Sequence, residues 1–164
     1  MNFSRIEPGP GQESVWDYPR PPRLEDSSKL IEIIFNGVTI AETRTAKRVL
    51  ETSHPPVYYI PPQDIKMEHL VPIPRSSFCE WKGRAGYYNV SAGVRQASNA
   101  AWFYPNPTLA FASIKDYVAF YPSLMEACYL DGEKVQAQEG DFYGGWITRD
   151  IVGPFKGGMG TWGW

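Results

Sequence analysis

The sequence predicts an all-β fold with one or two short helical segments, and three observations carry that prediction. Aromatic residues make up 15% of the chain, with 6 Trp, 10 Tyr and 8 Phe. Gly and Pro are also frequent, at 15 each. Two β-branched or apolar runs are each folded around a turn pair, Asn36-Gly37 and Asp131-Gly132. Aromatic and β-branched side chains suit half-buried strands, while Gly and Pro punctuate them with turns. A chain of 164 residues is long enough for one domain that buries roughly 68–70% of its unfolded surface. The composition divides that domain into an extended arm (1–28), a β core (29–137) and a Gly/Trp-rich tail (138–164).

The arm carries Pro19, Pro21 and Pro22 close to Trp16 and Tyr18. The prolines favour an extended backbone, and the large rings imply a segment laid across the domain or a partner subunit. Leu30 to Phe35 and Val38 to Thr43 form the clearest element, a hairpin on Asn36-Gly37, because both turn residues take positive φ. Ile31, Ile33 and Phe35 share one face, and Leu30 and Ile34 lie opposite, so both faces are partly covered. Thr45 to Thr52 reads as one or two helical turns capped by Thr45. Val57 to Ile60 is a short strand stopped by Pro61-Pro62, and Gln63 to Leu70 is a second short helix.

Ser77 to Trp81 is a strand, Lys82-Gly83 a turn, and Ala85 to Val90 the returning strand. Ser98 to Pro105 and Ile114 to Tyr121 are further strands, and Ala127 to Ala137 is a hairpin on Asp131-Gly132. The tail holds Trp146, Trp162 and Trp164. Its Gly153–Trp164 portion is too rich in glycine for helix or regular strand. Trp-Gly-Trp left in free solvent is an association hazard, so the tail is expected to be pinned into a groove, in cis or on a neighbour.

A net charge of −2 and the lack of a basic stripe exclude a dedicated nucleic-acid surface. Two cysteines, Cys79 and Cys128, make neither a disulfide framework nor a four-ligand zinc site, which points to a reducing, cytoplasmic setting. No apolar run approaches the ~20 residues of a membrane span. His54 and His69 have no ligand spacing with Asp64 or Glu68, so no metal is expected, and both are assigned to exposed turns. No motif names a cofactor.

Val49 to Pro61, Asp64, Cys79-Glu80-Trp81-Lys82-Gly83-Arg84-Ala85-Gly86-Tyr87-Tyr88, Ala100 to Pro105 and Ile114 to Tyr121 stand in chain order. Together these segments resemble the DUF427 family. The resemblance covers roughly residues 30–137. It implies a tent-like arrangement of two antiparallel sheets meeting at an angle over a cleft, as in methionine sulfoxide reductase B and the cereblon ligand-binding domain. Many of those relatives hold zinc on two Cys pairs, which this sequence lacks. The family is sometimes labelled nucleotidyltransferase. Such enzymes hold Mg²⁺ on paired carboxylates beside a Gly-Gly or Gly-Ser turn. The close pair here is Glu139 and Asp141, ahead of Gly144-Gly145, in reversed order and within the tail.

Cys79, Lys82 and Glu51 are the candidate catalytic residues. Cys79 reads as a nucleophile assisted by Lys82, or as a small core residue. On an extended strand Cys79 and Lys82 face opposite sides unless the turn at Gly83 reorients them. Lys82 reads as a cleft cation for a carboxylate or phosphate, or as a solvated turn residue, with Glu51 as its counter-charge. Tyr59, Tyr87, Trp102 and Tyr104 are the candidate ligand-binding rings. Each Tyr-Tyr pair puts one ring on each sheet face, so Tyr58-Tyr59 and Tyr87-Tyr88 each offer one to a cleft. An aromatic box with few polar groups fits a small planar or cationic ligand. Three functions follow: a small-molecule binding module, an enzyme at the same cleft, or an assembly protein whose arm and tail hold a homo-oligomer, a dimer, together.

Overall fold

The computed structural model of the chain describes residues 4–140 and 142–164. In chain order the strands are β1 (Glu13–Ser14), β2 (Arg23–Asp26), β3 (Ile31–Phe35), β4 (Val38–Thr43) and β5 (Lys47–Leu50). They continue with β6 (Val57–Tyr59), β7 (Leu70–Cys79), β8 (Gly83–Ala92), β9 (Arg95–Phe103) and β10 (Val118–Phe120). The last are β11 (Ala127–Leu130), β12 (Glu133–Lys134), β13 (Gln136–Ala137), β14 (Trp146–Ile147) and β15 (Ile151–Val152). Helical backbone among the described residues is confined to short 3₁₀ turns, the longest at Leu109–Ile114. The chain is thus mainly β, built from open sheets that are antiparallel apart from the β1–β15 pair.

Two four-stranded sheets, ordered β10-β9-β8-β7 and β12-β11-β3-β4, form the body, and a three-stranded sheet, β2-β5-β6, leans on the first. The β3–β4 hairpin turns on Asn36 (φ 48) and Gly37 (φ 75), as Asn-Gly turns require. Asp131 (φ 48) and Gly132 (φ 80) repeat the device between β11 and β12. On β3, Ile31, Ile33 and Phe35 are buried while Ile34 is half-buried, which is the alternation expected from the sequence.

The helix expected over Thr45–Thr52 is not formed. Lys47–Leu50 is β5, the centre of its sheet, paired with Arg23–Asp26 on one side and Val57–Tyr59 on the other. Four residues flanked by two partner strands gain more from the sheet ladder than from a turn of helix, whose nucleation is costly. The second expected helix, Gln63–Leu70, breaks into two 3₁₀ turns, Pro62–Asp64 and Met67–His69, before β7 starts at Leu70. Of Ile114–Tyr121, only Val118–Phe120 is strand.

Sheet β10-β9-β8-β7 separates two apolar clusters, because alternate side chains leave it on opposite faces. One face joins Ile31, Ile33, Ile40, Val90, Phe120 and Trp146 in the main core. The other carries Ala85, Tyr87, Trp102, Tyr104 and Ala119, which pack with Tyr59, Phe111 and Ile114. The three-stranded sheet is tied to this one through Ile60 and Val118, whose N–H groups each donate to the other's carbonyl at 2.9 Å. The second cluster lines the space between the two sheets.

Both terminal segments pack on this body. Glu13–Ser14 pairs in parallel with Ile151–Val152. Arg48 on β5 donates to both Glu13 carboxylate oxygens, at 3.0 and 2.9 Å, and to Glu25 at 2.6 Å. Trp16 Nε1 donates to the Pro154 carbonyl at 2.8 Å, and its ring meets Trp164 edge-on at 5.3 Å. Trp146 is buried, lies 5.0 Å from Tyr58, and donates to the Phe120 carbonyl at 3.4 Å. The tail packs on its own chain, although Trp162 stays 92% exposed.

Candidate functional site

A cleft of about 360 Å³ opens between the three-stranded sheet, the β7–β8 turn and the tail. This is the low end of the roughly 300–1,000 Å³ typical of small-molecule sites. All the sequence-predicted site residues line it: Glu51, Tyr59, Cys79, Lys82, Tyr87, Trp102 and Tyr104. They come from five different strands or their ends, and the fold alone brings them together.

The rings form the walls. Tyr59 and Tyr104 lie 6.2 Å apart, Tyr59 meets Trp102 edge-on at 6.3 Å, and Trp102 lies 4.5 Å from Tyr121. Their partners in the Tyr-Tyr pairs point away: Tyr58 packs on Trp146, and Tyr88 stacks on Phe103 at 4.7 Å. Burial raises the Tyr59 and Tyr104 phenols well above the ordinary range, and pushes Tyr121 up to about 12. All three are therefore neutral hydrogen-bonding groups near pH 7. Tyr87 OH is tied to Ser77 Oγ at 2.8 Å.

Cys79 and Lys82 border the same cleft, so the β7–β8 turn overrides the face parity of an extended strand. Gly83 takes φ +107, and a Cβ there would meet the Asn106 carbonyl at 3.2 Å. The Lys82 carbonyl accepts from Thr108 N–H at 3.0 Å, and Thr108 Oγ1 donates to the Trp81 carbonyl at 2.6 Å. The turn is thereby pinned to the segment after β9. Cys79 is half-buried rather than enclosed, whereas Cys128 is buried in the main core and its thiol is pushed up to about 12. Lys82 Nζ lies 5.8 Å from the Tyr104 ring and 5.9 Å from Phe111.

The expected Glu51–Lys82 pair is not formed among the described residues. Glu51 instead accepts from Arg20 Nε at 3.2 Å and lies 3.7 Å from His54 Nε2. Arg20 arrives on the arm and also donates to the Thr52 carbonyl. The chain segment whose charge neutralises Glu51 therefore lies far from Lys82 in sequence.

His54, expected from the sequence in an exposed turn, instead sits in the cleft wall, with 15% of its side chain exposed. Gln138 fixes its state. The Gln138 carbonyl oxygen accepts from Gly145 N–H at 3.1 Å, so the amide nitrogen faces the Lys156 carbonyl at 2.7 Å and His54 Nδ1 at 3.2 Å. Nδ1 accepts, so the imidazole proton is on Nε2, toward Glu51. Burial pulls the His54 pKa down to about 4; Glu51 opposes the shift, while Lys156, Arg20 and Lys82 add to it.

The tail supplies the remaining wall with Gln138, Phe142, Tyr143, Gly144 and Lys156. Gly144 has no room for a side chain, since a Cβ would lie 2.2 Å from Trp102. A Cβ on Gly145 would lie 2.5 Å from Gln138 Oε1 and 2.9 Å from Pro55. These glycines serve close packing against Trp102 and Gln138. Asp141, of the Glu139/Asp141 pair, lies outside the described residues. Among the described residues no three or more His, Cys, Asp or Glu gather as metal ligands, and no helix is long and apolar enough to cross a membrane.

Of the residues that sequence reasoning missed, only His54 carried a signal, its i,i+3 spacing from Glu51. Gln138, Tyr143 and Lys156 sit in a stretch without periodicity. A family model described as a domain of unknown function (DUF427) matches residues 23–131. No curated protein matches the chain. The matched span includes Glu51, His54, Cys79, Lys82 and the four candidate rings, whereas Gln138, Tyr143 and Lys156 lie beyond it.

Proposed function

The chain belongs to the DUF427 family, and on that premise we propose that it binds a small planar molecule in the aromatic cleft. One observation carries this reading: rings and polar groups from separate strands converge on a single cavity, with Tyr59 and Tyr104 on its wall beside Lys82 and Glu51. Flat rings contact a planar ligand over a large area, and the few polar groups orient it. His54, held neutral in one tautomer, adds a directional polar group to the wall.

Cys79 supplies the test, because it is the partly exposed thiol of the cleft while Cys128 is buried. The whole chain is screened by thermal shift against neutral, anionic and cationic one- and two-ring aromatic compounds. Compounds that raise the melting temperature are expected also to slow alkylation of Cys79 by iodoacetamide. A panel in which no compound does both overturns the proposal.

The half-exposure of Cys79 also favours a second reading, a reaction at the same cleft that uses its thiol. In that case Cys79→Ser abolishes turnover of a bound compound and leaves its affinity unchanged. If Cys79→Ser keeps full turnover, the thiol has no part in the reaction.

A further inference from the structure

The charge balance of the cleft narrows the ligand class. Lys82 and Lys156 both border the cavity and both are half-buried. Neither has a carboxylate within salt-bridge distance among the described residues, and each ammonium group instead lies near ring faces. Those are Tyr104 and Phe111 for Lys82, and Tyr143 at 6.0 Å for Lys156. Glu51, the carboxylate of the inner wall, is committed to Arg20. Glu80, the other acid lining the cleft among the described residues, is exposed to water. Tyr59, Tyr104 and Tyr121 are protonated near neutral pH, and His54 is uncharged. Among the described residues the inner cleft thus carries a surplus of positive charge, in a protein whose net charge is −2.

A partly desolvated ammonium group with only ring faces beside it gains a charge-assisted hydrogen bond when an anion arrives. The same surplus disfavours a cationic guest, although an aromatic box alone would accept one. We infer that the ligand is a planar aromatic acid, its ring against Trp102 and the tyrosines and its carboxylate or phosphate group met by Lys82 and Lys156. This rests on the small-molecule reading above and names the class of ligand for that site. Selection for the anion draws on both parts of the chain, because Lys82 lies inside the matched span and Lys156 lies in the tail.

The test compares three probes of one shape on the whole chain by calorimetric titration, with Cys79 alkylation as the site reporter. The probes are 2-naphthoate, neutral 2-naphthamide and the cationic 2-naphthylmethylammonium ion. Naphthoate is expected to bind about tenfold or more tightly than naphthamide, the scale of one charge-assisted contact. That preference should shrink in Lys82→Met and in Lys156→Met while naphthamide affinity holds. Rising salt should shrink it in the unaltered protein too, a measurement that needs no variant to fold. Equal affinity for naphthoate and naphthamide, or tighter binding of the cation, overturns the inference and leaves the binding cleft standing. If none of the three binds or protects Cys79, the inference is overturned, and the small-molecule reading falls with it only if the wider aromatic panel also fails. A naphthyl phosphate run beside naphthoate tells which acid group the lysines prefer.

Discussion

His54 shows how burial sets chemistry at a single residue. Its pKa stands at 6.5 when free and is pulled to about 4 in the folded chain. Between those values the unfolded chain takes up a proton that the folded chain refuses. Stability from the neutral imidazole is therefore complete above about pH 6.5, falls as pH drops toward 4, and changes no further below that. The shift corresponds to a loss on the order of 3 kcal/mol by pH 4. Urea unfolding of the native chain and of His54→Gln at pH 7 and pH 4.5 measures it. The native chain should lose more stability than the variant, and equal losses would show that His54 does not titrate in this way. Comparing against the variant cancels the contributions of Glu13 and Asp150, whose carboxyls lie below their usual range because of Arg48 and Lys29.

Among the elements, the β7–β8 turn does the most for the site. It carries Cys79 and Lys82 to one cleft because Gly83 adopts φ +107 against the Asn106 carbonyl. Gly83→Ala places a Cβ where L-residues are strained and where it presses on that carbonyl. The expected cost is upwards of about 1 kcal/mol. Naphthoate binding should weaken further than stability alone explains, because Lys82 moves with the turn. Paired chemical denaturation and titration of the variant check both, and an unchanged affinity would separate the turn from the site. The sequence made this turn legible as a turn, and both Asn-Gly and Asp-Gly hairpins were legible for the same reason, a local demand for positive φ. What it hid was orientation. Face parity put Cys79 and Lys82 on opposite sides, and only the long-range tie from Thr108 shows why they are not. Thr45–Thr52 reads as helix in the sequence for a related reason. The partners that make it a central strand, Arg23–Asp26 and Val57–Tyr59, are separate stretches whose pairing no local pattern records.

Across the whole molecule, the family-like span contributed the rings, Cys79, Glu51 and Lys82, all readable as aromatic pairs and charged turn residues. The other wall was unreadable because Gln138 and Lys156 act through contacts with distant backbone, in a segment whose glycines erase periodicity. That wall belongs to the fold itself. Trp146 is 1% exposed in the main core, and removing a buried Trp side chain costs about 3–5 kcal/mol. Set against a typical stability of about 5–15 kcal/mol, a chain ending at Ala137 also loses β14, β15 and the Gln138 contacts. It is expected to show no cooperative unfolding and no dispersed amide spectrum by NMR. A folded 1–137 chain would make the tail an accessory rather than a wall.

The parallel pairing of Glu13–Ser14 with Ile151–Val152 bears on how this protein is made. The ribosome delivers Glu13 before the sheet strands of the body and Ile151 only after they have emerged. Arg48 can engage Glu13 early, but the edge of β1 stays open until β15 arrives. The cleft acquires its Gln138–Lys156 wall in the same late interval. Because the body does not fold without that wall, the nascent chain carries its ring-bearing strands unassembled and β1 unpaired until then, and chaperones would meet it in that state.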